Sequence, residues 1–330
     1  MPYSVITATN GDVLNIGFEQ QVPKVTYEMF DELSQASTWV VEKRPNRESE
    51  EDVEIDDSYY LQKWYPEKQE KGDILNKSVT SKTDVFQLNS LAEAIFALQE
   101  QQMITVMQAA YDKGQAMFLL DIPSDVVDTS SRITSDSDVV KEYIAISLSY
   151  KQPTATGVMT TDMRLICANM INAVAAAAHK SNSFSTFMSA DKDSVFSLLK
   201  DKQAEREKRA RYYQMLAGYE IQPSQAEGFF RQIMNLPMIG DVNDMEVKDQ
   251  IKDRFDSLMY TYNNGEHIQS LGNKHTAYRV LNAVTEGSKD AAWGAKATSM
   301  FTSQFAGASK SARNKLHRCF SSMIPMENVK

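Results

Sequence analysis

Two hydrophobic periods alternate along the chain, and the change from one to the other predicts its layout. Val5-Ile6 and Val13, Leu14 and Ile16 flank Asn10-Gly11, the pairing of apolar runs and turn residues that predicts a β-hairpin. A short helix is expected over 25–36 and an extended stretch over 38–41. Phe86, Leu88, Leu91, Ala94, Ile95 and Leu98 follow three-four spacing, so 84–102 reads as an amphipathic helix. Residues 105–111 and 116–122 are then split by Asp112-Lys113-Gly114-Gln115, a second hairpin. The Asp-, Ser- and Thr-rich 124–138 reads as loop, 139–150 as a further strand and 155–159 as another.

From about residue 162 the period becomes helical. Thr160, Thr161 and Asp162 are N-cap candidates, and Met163, Ile166, Met170, Ala173, Val174 and Ala177 recur at helical spacing up to His179 and Lys180. Further helices are predicted over 190–217, 223–234, 244–263, 275–288 and 307–322, punctuated by Gly218, Pro223, Pro237 to Gly240 and Asn263-Asn264-Gly265. Strands cluster without helices between them, which disfavours a doubly wound sheet. The expected fold class is α+β: an antiparallel sheet cluster with packed helices over 1–185, then a mostly α-helical region over 186–330.

Composition changes this picture little. The chain has 330 residues, 42% hydrophobic and 24% charged, which suits globular folding and excludes a mostly disordered or fibrous chain. No apolar run reaches the 18 to 20 or so residues that span a bilayer, so no membrane association and a cytoplasmic location are expected. Two cysteines, Cys167 and Cys319, are too few for a disulfide framework.

Charge is more informative. The net charge of −9 divides into −10 over residues 1–100, −5 over 101–270 and +6 over 271–330. Such a gradient fits a surface that meets a polyanion, head-to-tail association of identical subunits, or simply solvated helix faces. Seven of the ten side chains at 48–57 are acidic, and their mutual repulsion predicts a loop.

Motifs for common chemistries are missing. The segment Gly307 to Ser311 lacks the first glycine of a P-loop, no G-x-G-x-x-G occurs, and His179, His267, His275 and His317 form no H-x-x-x-H pair. Neither cysteine has a catalytic signature. The expectation is a non-enzymatic protein with no cofactor and no metal.

Three basic or aromatic stretches remain as candidates. In the last predicted helix, Lys310, Arg313 and His317 share a face, with Lys315 and Arg318 beside an apolar stripe of Ala312, Leu316 and Phe320. Such a face suits phosphates or, more simply, offsets the helix dipole. Arg206 to Arg211 carries i, i+4 pairs, Glu205 with Arg209 and Glu207 with Arg211, typical of a salt-bridged exposed helix. Tyr59, Tyr60, Trp64 and Tyr65 interleave with Lys63, Lys68 and Lys71, which serves either core packing or the stacking of unpaired bases.

Two blocks carry a resemblance. Thr161 to Asn169, T-D-M-R-L-I-C-A-N, and Thr276 to Glu286, T-A-Y-R-V-L-N-A-V-T-E, resemble the "T-x-x-R-x-x-C-x-N" and "T-x-W-x-x-x-N-A-V-T-E" blocks of the phage/plasmid-like domain of unknown function 932 family, with Tyr278 at the tryptophan position. The resemblance spans roughly 85–320 and implies origin in phages and mobile plasmids, among recombination and DNA-maintenance genes. In outline, strands followed by a helix are also similar to phage single-strand annealing proteins.

The resulting expectation is a phage or mobile-element DNA-metabolism protein that binds single-stranded DNA as a homo-oligomer. Arg164, Arg279, Lys310, Arg313, Lys315, His317 and Arg318 are the expected nucleic-acid contacts, two chosen by motif and five by charge placement. The alternative is a phage structural protein or an inhibitor of a host defence protein, with the acidic N-terminal part as its contact surface.

Overall fold

The computed structural model describes residues 4–7, 13–17, 25–47, 54–112, 114–123, 130–135, 138–151, 153, 156–164, 169–174, 203–265, 268, 271–272, 274–287 and 308–323. Eleven strands lie among them: β1 Ser4–Thr7, β2 Val13–Gly17, β3 Val40–Arg47, β4 Glu54–Tyr65, β5 Glu70–Val79, β6 Thr105–Asp112, β7 Gln115–Asp121, β8 Ser130–Arg132, β9 Val139–Ser149, β10 Gly157–Arg164 and β11 Asn169–Val174. Seven α-helices accompany them: α1 Tyr27–Ser34, α2 Leu88–Glu100, α3 Gln203–Gly218, α4 Pro223–Met234, α5 Asp249–Asn264, α6 Ala277–Gly287 and α7 Ala308–Met323. One sheet has the order β1-β2-β6-β7-β9-β10-β11, with β8 on β9, and a second is β3-β4-β5. Antiparallel sheets fill the first half and helices the second, so the fold is α+β.

The chain forms two compact units, one of residues 1–128, 143–160 and 174–200, the other of 129–142, 161–173 and 201–330. The domain boundary expected near residue 185 falls outside the described residues.

In the first unit, α2 turns Leu91, Ile95 and Leu98 inward, each essentially inaccessible, which is the stripe its three-four spacing predicts. Phe30 of α1 meets Phe118 of β7 at 4.9 Å between centroids, and Phe96 of α2 meets Phe118 edge-on at 6.4 Å. Thr26 caps α1 by accepting from the Met29 amide. Buried Gln99 satisfies itself by donating to the Val25 carbonyl at 2.8 Å and accepting from the Val106 amide at 2.7 Å.

In the second unit, α3 to α7 pack around Tyr213, Phe230, Leu258, Tyr262, Tyr278 and Phe320. Pro223 sits in the first turn of α4, where its missing N–H costs nothing.

Four differences from expectation have physical causes. The helix expected from about 162 is instead the end of β10 and the whole of β11, while 165–168 and 175–180 lie outside the described residues. Short apolar runs match both periods, and sheet pairing decided between them. Strands β4 and β5 were not anticipated, because their charged residues mask the alternation. Residues 48–53 of the acidic stretch lie outside the described residues, but Glu54, Asp56 and Asp57 begin β4, with Glu54 opposite Arg47, rather than continuing a loop. The expected 124–138 loop contains β8.

Candidate functional site

Helical spacing puts Arg206, Arg209 and Tyr213 on one face of α3. That face meets two acids of the second unit carried by neighbouring strands, Glu142 of β9 and Asp162 of β10. Arg209 Nε donates to Asp162 Oδ2 at 2.8 Å and its Nη2 donates to Glu142 Oε1. Arg206 Nη1 donates to Glu142 Oε2 at 3.1 Å, and the Tyr213 hydroxyl donates to Asp162 Oδ2 at 2.6 Å. Glu142 and Asp162 are 3% and 4% exposed, so two carboxylates and two guanidiniums neutralise one another away from water. With Ser131, Val140 and Ala210 they line one small cleft.

Burial pushes both carboxyls above their ordinary range, against the pull of Arg209, and the two acids raise the Arg209 guanidinium further. Arg206 and Arg209 therefore turn inward, where the sequence pattern indicated an exposed salt-bridged helix. The missed signal is the spacing of 206, 209 and 213, which presents an inward face. Its acidic partners are distant in sequence and invisible to it.

Two of the expected nucleic-acid residues, Arg279 and Arg313, are buried. Arg279 is 6% exposed, with Nε donating to the Tyr262 carbonyl at 3.1 Å and Nη1 to the Gly272 carbonyl at 2.7 Å, and its guanidinium lies 5.3 Å from the Tyr262 ring. It ties α5 to the start of α6. Arg313 is 1% exposed, and burial pushes its guanidinium down to about 10, still protonated at neutral pH.

Lys315 donates to the Ile233 carbonyl and Asn235 Oδ1, closing the end of α4. His317 Nδ1 shares a 2.9 Å hydrogen bond with the Tyr212 hydroxyl. Arg318 is exposed. Arg164 ends β10 and Lys310 lies in the first turn of α7. Within α7 the stripe of Ala312, Leu316 and Phe320 is buried as its spacing predicts.

The aromatic stretch lies on β4, where alternation splits it. Leu61 is buried and Tyr59 and Tyr65 pack against the first core, while Tyr60, Gln62 and Trp64 take the other face. Ladder pairing sets Arg44 beside Tyr60, Glu42 and Ile74 beside Gln62, and Lys71 beside Trp64. The Arg44 guanidinium is 5.4 Å from the Trp64 ring centre and pairs with Glu42 at 2.5 Å. Tyr60 and Trp64 are half-buried, Lys71 is exposed, and Ile74 is 49% exposed. Lys68 in the β4–β5 turn is exposed, 5.8 Å from the Tyr65 ring centre.

Gly72 permits this hairpin's tight packing, since a Cβ there would lie 2.7 Å from Tyr65 Cε2. Among the described residues no group of His, Cys, Asp and Glu is arranged to hold a metal ion. None of the described helices is long and apolar enough to cross a membrane.

The described side chains of both sequence blocks lie in the interior. In the second, Thr276 Oγ1 accepts from the Arg279 amide, Tyr278 is buried, and Asn282 Nδ2 donates to the Tyr278 carbonyl. The first contributes Asp162 to the buried ionic group. Neither a curated protein nor a solved structure matches the chain. A family model covers residues 77–308, from the end of β5 through the ionic group and both blocks, and the chain therefore belongs to the family described as Domain of unknown function (DUF932).

Proposed function

We propose that this chain is a non-enzymatic, oligomeric protein of a phage or mobile genetic element that binds single-stranded DNA in the bacterial cytoplasm, in recombination- or annealing-type DNA metabolism. The observation that supports it is the outer face of the β3-β4-β5 sheet. There Tyr60 and Trp64 offer rings for base stacking, Ile74 adds apolar surface, Arg44 and Lys71 supply cations, and Lys68 adds an exposed one in the adjoining turn. Rings and cations in this arrangement hold unpaired bases without reading sequence, because every base has a π-face.

In this reading Arg279 is a brace and Arg313 is buried, and neither touches the strand. Two exposed lysines, Lys68 and Lys71, are the phosphate contacts. A single strand held by two such contacts has a salt slope of about −1.4, against about −5 for seven.

Fluorescence anisotropy with labelled oligonucleotides across a salt series tests this. The expected result is binding with the shallow slope, weakened about 5- to 150-fold by Trp64→Ala, the range for loss of one base–aromatic stack. No binding at low salt, or binding indifferent to Trp64→Ala, rejects the proposal.

A further inference from the structure

The Lys63 side chain of β4 is set against aromatic rings of the first core. Its Nζ stands 4.2 Å from the Trp39 ring centre and 5.5 Å from that of Tyr111 on β6. Both rings are nearly inaccessible, 3% and 9% exposed, and the Trp39 ring also meets Tyr150 edge-on at 6.3 Å. Val41, the ladder partner of Lys63 on β3, is buried. On β5 the backbone runs so close that a Cβ at Gly72 would lie 2.9 Å from Lys63 Cβ. Lys63 itself is half-buried.

An ammonium has three protons to donate, yet among the described residues no hydrogen bond or ion pair engages Lys63 Nζ. Other lysines are engaged differently. Lys43 donates to the Ser81 and Thr83 carbonyls at 2.6 and 3.1 Å, and Lys274 pairs with Glu220 at 2.7 Å. Acylating either would break those bonds, whereas Lys63 has none to lose. Burial draws the Lys63 ammonium below its ordinary range, against the charge of Asp73 on β5, which holds the proton. An amine freed of its proton in an apolar slot is a nucleophile. Burial disfavours charge, so of the products a lysine amine forms, a neutral amide suits this slot better than an iminium. The negative charge of Asp73 favours an uncharged thioester over an anionic acyl phosphate as the donor.

We infer that Lys63 is an acylation site, whose amine, seated against the Trp39 and Tyr111 rings, takes an acyl group from a small uncharged thioester. The ammonium first gives one proton to solvent. The nitrogen lone pair then attacks the thioester carbonyl carbon, a C–N bond forms as the C–S bond breaks, and the thiol leaves with the second proton lost by nitrogen. Lys63 lies on the face of β4 opposite Tyr60 and Trp64, so the reaction needs no DNA and stands apart from the proposed function.

Timed acetylation of the full chain by the acetyl thioester of N-acetylcysteamine, read residue by residue by peptide mass spectrometry, tests it. At neutral pH Lys63 is expected to react faster than Lys208, an exposed lysine of α3. Its rate should rise with pH to a midpoint below that of a blocked free lysine measured alongside. Asp73→Asn, at an exposed position, should speed the reaction of Lys63 and leave Lys208 unchanged. In denaturing urea the preference for Lys63 should vanish, because the rings no longer surround it. A Lys63 that reacts no faster than Lys208 in the folded chain overturns the inference. So does a preference that survives urea, or an Asp73→Asn variant, folded by circular dichroism, whose Lys63 reacts at the wild-type rate.

Discussion

Replacing Arg209 by methionine keeps most of the side chain's volume and removes its charge. In the folded protein, Asp162 then retains only the Tyr213 hydroxyl and Glu142 only Arg206 among the contacts of this group. Both acids stay at 3–4% exposure with one guanidinium between them in place of two. Removing one member of a buried ion pair costs about 3–5 kcal/mol, because the remaining charge has neither water nor a partner. A thermal midpoint moves about 2–4 °C per kcal/mol in a body of this size, so the helical unit's transition should fall by about 6–20 °C. Circular dichroism at 222 nm follows that transition, and urea unfolding gives the same loss isothermally. The destabilisation should shrink at mildly acidic pH, where the unpaired carboxyl takes up a proton. Adding Asp162→Asn to Arg209→Met should recover part of the loss at neutral pH. A loss under about 1 kcal/mol, the scale of an exposed pair, refutes the view that this ionic group organises the second unit.

Burial holds the Glu142 and Asp162 carboxyls above their ordinary range. The folded chain therefore binds more protons than the unfolded chain just above about pH 4, and stability from these groups rises as pH falls through that window and is lost as pH rises through the raised values. Urea midpoints at several pH values should show this slope in wild type and a flatter one in Glu142→Gln; identical slopes contradict it. Gly72→Ala should destabilise the first unit by about 1–3 kcal/mol, since the new Cβ meets Tyr65 Cε2 at 2.7 Å and Lys63 Cβ at 2.9 Å. A thermal midpoint equal to wild type would show that the hairpin yields at no cost.

Much of the architecture was legible because its elements carry strong local signals. The helix over 223–234 coincides with α4, since proline opens it and an apolar face runs through Phe229, Phe230 and Ile233. The helix expected over 307–322 is displaced by one residue from α7, and the hairpin around Gly114 agrees closely with β6 and β7. Where the chain is highly charged, as in β4 and β5, alternation was hidden and two strands went unread. Where it is apolar but short, as over 162–174, the period was ambiguous and sheet pairing settled it.

The functional candidates show the same division more sharply. Positive charge in α6 and α7 divides between surface and interior: Arg318 is exposed, whereas two arginines are not. Arg279 and Arg313 are folded into the interior, Arg279 with its donors on the Tyr262 and Gly272 carbonyls and its guanidinium beside the Tyr262 ring. Arg206 and Arg209, expected on a solvated face, instead hold two acids from strands some sixty and forty-seven residues earlier in the chain. Local order of residues determines where helices and hairpins start and stop, since caps, turns and periodicity act over a few positions. Which charges meet water and which meet each other depends on side chains far apart in the chain, and only their arrival at one place in the folded molecule decides it.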